Sequence, residues 1–111
     1  MEIVTVLSLM RECQGRLAKA SRELFRLAED KAEAEQKYRS ALAQEILVLK
    51  TQGLQATLIP DVARGNTADL KLQRDLADGL FTAGRDSISA LQSEARILDS
   101  MLKYQKDMGG E

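Results

Sequence analysis

Residues 57–70 read TLIPDVARGNTADL and hold the chain's one proline, Pro60. The same stretch carries the clearest helix stop, Arg64-Gly65, and the clearest helix start, Asn66-Thr67. Thr57 is placed to cap a short helix of about 58–64, and Pro60 suits its first turn, where a missing N–H costs little. Gly65 is expected to end that helix, and Asn66 or Thr67 to cap the next, with Asp69 in its first turn against the helix dipole. On both sides the sequence is long, charged and striped with apolar residues, with almost no turn chemistry. The reading is all-α: a long antiparallel helical hairpin folded about a corner at 53–66.

Working back from the corner, Gly53 fits the left-handed position that follows a helix. The helix before it is expected over about 2–52, since no proline interrupts it and Gly15 is its one glycine. A heptad seam runs Ile3, Val6, Met10, Cys13, Leu17, Ala20, Leu24, Leu27, then Lys31, Ala34, Tyr38, Ala41, Glu45, Val48. Its first eight positions are apolar, as in a coiled coil. The seam weakens over 29–37, EDKAEAEQK, which reads either as a solvated stretch or as the place where an N-terminal arm (1–28) leaves the body. Glu33–Lys37 and Glu35–Arg39 have acid-first i,i+4 spacing, each adding roughly 0.2–0.5 kcal/mol to the helix.

Working forward, a helix is expected over about 67–107. Its stripe reads Leu72, Leu76, Leu80, Gly84, Ile88, Leu91, Ala95, Leu98, Leu102, stepping by three and four. Gly79 and Gly84 sit mid-helix, where each costs roughly 1 kcal/mol against alanine. Gly84, on the stripe itself, reads either as a point of close helix approach or as local flexibility. Gly109-Gly110 marks a frayed end.

The 111 residues amount to a single domain. Hydrophobic residues make up 44% but aromatic ones only 4%, so two long arms would enclose a thin core. Thin cores are marginal, and assembly into an oligomeric helical bundle is the expected remedy. Leu17, Leu24, Leu27, Leu80, Gly84, Ile88, Leu91 and Leu98 are the expected core and oligomer seam.

Sixteen basic and seventeen acidic residues give a net charge of −1, against a general nucleic-acid-coating role. The absence of histidine removes imidazole acid–base chemistry. One cysteine, Cys13, supplies neither an internal disulfide nor a zinc cluster, and reads as a small buried apolar residue. The apolar run at 3–10 is too short to cross a membrane and lacks a signal-peptide pattern. A cytoplasmic protein without cofactor or metal is expected.

Two constellations carry candidate chemistry. Backbone N–H groups at the start of the last helix form an anion site in principle, and Arg64, Lys71 and Arg74 lie beside it. Thr57, Asn66 and Thr67 add hydroxyl and amide groups. Against this, Asn66 and Thr67 serve as plain caps, while Lys71–Asp75 and Arg74–Asp78 have ion-pair spacing. Asp75-x-x-Asp78 with Glu29 and Glu33 is a weak match to the magnesium-holding carboxylates of all-α nucleotide pyrophosphatases. No enzyme is expected.

Residues 38–106 resemble a group of small, uncharacterised helical proteins of tailed bacteriophages. The matching positions are Gly53, Thr57, Leu58, Ile59, Asp61, Ala63, Arg64 and Gly65, then Arg74, Asp75 and Ala77. The resemblance implies a bacterial host cytoplasm, where small phage proteins often act by binding. The expected function is non-catalytic: a self-associating protein that binds a host defence protein or sequesters an anionic, nucleotide-like signal. The alternatives are an accessory role in phage DNA recombination or replication, and a purely structural coiled-coil adaptor.

Overall fold

The computed structural model describes residues 2–109, in which the regular elements are α1 (Ile3–Thr51), α2 (Ile59–Asn66) and α3 (Ala68–Gly109). The fold is the expected all-α helical hairpin. Gly109 still belongs to α3, and Gly110, the rest of the expected frayed end, lies outside the described residues. Within the hairpin the chain packs as two units. One joins α1 up to Phe25 with α3 from Thr82, and the other is continuous from Arg26 to Phe81.

The first unit is the apolar one. Val6, Cys13, Leu91 and Leu98 are buried, and Met10, Leu17, Ala20, Leu24, Gly84, Ile88, Ala95 and Leu102 are half-buried. These positions keep the 3-4 spacing of a heptad on both helices, so each presents one continuous face to the other. Cys13 is 1% exposed, and its thiol donates to the Leu91 carbonyl at 3.4 Å. Ile3, expected to open the seam, is 37% exposed at the helix start. The α1 residues of this unit, up to Phe25, pack with α3.

The second unit contains the corner. Gly53 has φ +81°, the left-handed conformation that glycine adopts without a Cβ clash. The Gly53 N–H bonds the Lys50 carbonyl at 3.1 Å, and the Leu54 N–H bonds the Leu49 carbonyl at 3.2 Å. This is a Schellman stop, with Leu54 folding back to pack beside Leu49. Leu49, Ile59 and Ala63 form a buried cluster flanked by Leu42, Ile46 and Leu54, which fixes α2 against the end of α1. Fully burying an aliphatic side chain of this kind stabilises by about 1.5–3 kcal/mol.

Several expectations at the corner are corrected. Thr57 does not cap α2: Leu58 holds that position in helical geometry, with no side-chain cap bond. A turn closed by the Leu58 N–H on the Gln55 carbonyl brings the chain in already coiled, leaving no extended residue to turn a hydroxyl inward. Gly65 does not end α2, which runs through Asn66. Thr67 alone separates α2 from α3, and its hydroxyl donates back to the Ala63 carbonyl at 2.8 Å. Its side chain thus closes the preceding helix, while its carbonyl accepts the first bond of α3, from the Lys71 N–H at 3.1 Å.

Two stretches expected on the buried helix faces are exposed within this unit. Val48 is 39% exposed while Leu49 is buried, so the α1 face shifts by one residue at its last turn. Leu72, Leu76 and Leu80 are 58%, 57% and 57% exposed. The half-buried face of α3 in this unit is instead Leu70, Arg74, Ala77 and Phe81. Repeated steps of four precess about 40° each around a helix with 3.6 residues per turn. A row of leucines taken by fours therefore leaves the contact face, whereas alternating threes and fours stays on it.

Candidate functional site

The weak seam at 29–37 is helical throughout and is occupied by polar side chains with partners on α3. Lys31 lies over the Phe81 ring, its Nζ 4.8 Å from the centroid and 3.2 Å from Asp78 Oδ1. Arg74 lies over the Tyr38 ring, its Cζ 4.6 Å from the centroid and its Nε 3.6 Å from Glu35 Oε2. The two halves are reciprocal. On α1 the order is Lys31-x-x-x-Glu35-x-x-Tyr38, and on α3 it is Arg74-x-x-x-Asp78-x-x-Phe81. Each helix contributes a cation to the other's acid and aromatic ring, so the antiparallel pairing sets one eight-residue pattern against its counterpart. A cation over a ring contributes about 0.5–1 kcal/mol where water has access. Surface ion pairs add less than about 1 kcal/mol.

The Arg74 side chain is 28% exposed and works hardest. Its Nε and Nη2 donate to Asp75 Oδ1 at 3.2 and 3.0 Å, and Lys71 Nζ reaches Asp75 Oδ2 at 3.4 Å. The hydrogen bond to Asp75 holds the guanidinium pKa above its usual value. The same bond, helped by Lys71, holds the Asp75 carboxyl below the usual carboxylate range. Lys71–Asp75 and Glu35–Arg39 pair as their spacing implies. The expected Arg74–Asp78 pair is replaced, because Asp78 goes to Lys31 across the helix pair.

The six candidate ligand residues of the corner are therefore distributed as follows. Thr57 is exposed in the turn before α2. Arg64 Nη1 bonds Asp61 Oδ1 at 3.3 Å, and Asn66 Nδ2 donates to Glu45 Oε1 at 2.7 Å. Thr67 is 6% exposed, and backbone N–H groups at this junction are engaged by the Ala63, Arg64 and Gly65 carbonyls. Lys71 and Arg74 share Asp75. The near-continuity of α2 and α3 thus ties up donors that a free helix start would leave open to an anion.

Asp75 and Asp78, the candidate carboxylate pair, face different cations. Among the described residues no group of three or more Cys, Asp or Glu side chains converges as a metal site would. No helix of the described residues is long and apolar enough to cross a membrane.

Among the exposed apolar side chains of the described residues, two groups lie along α3. One is the ridge Leu72, Leu76, Leu80 in the second unit. The other, in the first unit, is the outer face of α3 around Ile97, Met101 and Tyr104, which lines an open groove of about 570 Å³. The reciprocal clasp was missed in the sequence, where the shared basic-acid-aromatic spacing of the two helices is its one signal. No family model matches the chain, nor does any curated protein or solved structure.

Proposed function

We propose that the protein is a non-catalytic helical binding protein that self-associates and engages a host protein through its apolar helix faces. One observation carries this reading. Leu72, Leu76 and Leu80 in the second unit, and Ile97 and Tyr104 in the first, are each more than half exposed on α3. Contiguous apolar surface of this kind marks interaction sites.

The phage setting, the cytoplasmic location and the anti-defence role rest on the sequence resemblance alone. The anionic-ligand version leans on Arg64, Lys71 and Arg74, whose carboxylate partners a ligand would have to displace. A protein partner requires no such exchange, and so is preferred. Native mass spectrometry of the protein purified from infected-cell extract tests the reading. A homo-oligomer carrying a second polypeptide is expected. A bare monomer contradicts it, and a retained nucleotide transfers the function to the corner.

A further inference from the structure

We infer that the reciprocal clasp is a salt-sensitive latch: as ionic strength rises, α1 and α3 part over 31–38 and 74–81 while the corner stays closed. Clasp and corner both lie in the second unit. The inference stands on their geometry and does not depend on the function proposed above.

Two kinds of contact hold this unit together, and salt acts on one of them. At the corner, Leu49, Ile59 and Ala63 are buried together, with Leu42, Ile46 and Leu54 packed against them. That contact is apolar burial, which screening does not touch. The clasp has little of it. Between Lys31 and Tyr38 on α1 the half-buried residues are Ala34 and Glu35, and between Arg74 and Phe81 on α3 the half-buried residue is Ala77. What bridges the helices there is Lys31 on Asp78 and Phe81, and Arg74 on Glu35 and Tyr38.

These charges are open to solvent. The side chains of Lys31 and Asp78 are 45% and 59% exposed, and those of Arg74 and Glu35 are 28% and 36% exposed. The Debye length falls from about 10 Å at 0.1 M salt to about 3 Å at 1 M, close to the separation of these pairs. Each cation serves an acid and a ring on the opposite helix, so screening one charge loosens two contacts at once. Both attractions are electrostatic.

The parted helices keep partners for their charges. Arg74 retains Asp75, and Glu35 retains Arg39, each on its own helix. Lys71 likewise pairs along α3, with Asp75, and adds no tie across the seam. Parting exposes Tyr38, which is 7% exposed in the closed pair. A stretch held by few apolar contacts opens below the free energy of global unfolding, so the corner can stay shut while the clasp releases.

Hydrogen exchange of the full chain in about 0.02 M and about 1 M sodium chloride tests the latch, with amides of 45–50 and 59–66 as the reference within the same unit. Exchange over 34–38 and 75–81 is expected to rise roughly fivefold in high salt, and exchange at the corner to stay level. Lys31→Met with Arg74→Met is expected to abolish that response. Lys31→Arg with Arg74→Lys, which keeps both charges, is expected to retain it. Exchange that salt leaves unchanged, or that rises equally at the corner, overturns the latch. So does a response that survives the loss of both cations. Loss of the response in the charge-keeping variant as well traces it to packing and overturns the latch too.

Discussion

Arg74 is the residue on which the polar seam turns. It occupies a heptad core position with a long charged side chain, and it is tolerated there because its plane covers Tyr38 while its nitrogens reach Asp75 and Glu35. A double-mutant cycle on Arg74→Ala and Tyr38→Leu, followed by denaturant unfolding, is expected to show a coupling of about 0.5–1 kcal/mol. Additive effects would mean that the ring and the cation merely sit close. Asp75 gives the seam a pH dependence. Its folded pKa is depressed, so its contribution is present above the unfolded carboxylate pKa and is lost as the pH falls through the folded value. Acid titration of stability should therefore lose part of its slope in Asp75→Asn, and an unchanged slope contradicts the assignment.

At the scale of the element, glycines separate what the chain requires from what it tolerates. Gly53→Ala is expected to cost about 1–2 kcal/mol, since φ +81° places a Cβ against the following carbonyl. Gly15 and Gly79 are both helical, with nothing near an added Cβ. Gly15→Ala should therefore stabilise by about 1 kcal/mol. Gly79→Ala should gain about as much in thermal melts, and a loss at either site would contradict the open surroundings of its Cβ.

The same elements show how far the sequence could be read. The α1 heptads from Val6 to Glu45 and the α3 stripe from Gly84 to Leu102 lie on buried or half-buried faces. Gly53 stops α1 as its position implied. The α3 stripe before Gly84 could not be extrapolated by hydrophobicity, because the true contact face there includes Arg74 and the leucines point elsewhere. Arg64-Gly65 looked like a stop, yet glycine also continues a helix when neighbouring carbonyls find donors, as they do at Thr67. The corner's ion pairs were half legible. Lys71–Asp75 followed from spacing, while Lys31–Asp78 required knowing which helices meet.

For the whole molecule, the two units divide labour by chemistry. The first is packed by aliphatic layers, and the second by the corner cluster and the reciprocal clasp. Breaking both clasp cations with Lys31→Met and Arg74→Met is expected to leave the fold helical, because ion pairs this exposed add less than about 1 kcal/mol each. Their role is then register, read out as faster hydrogen exchange in α3 around Ala77 and Phe81; unchanged exchange contradicts it.

Leu72, Leu76, Leu80, Ile97 and Tyr104, each more than half exposed, are the apolar surface that the proposed self-association would cover. Sedimentation equilibrium of the unaltered protein tests that most directly. The expected result is a mass that rises with concentration towards twice 12.3 kDa. A mass fixed at 12.3 kDa at every concentration would contradict it.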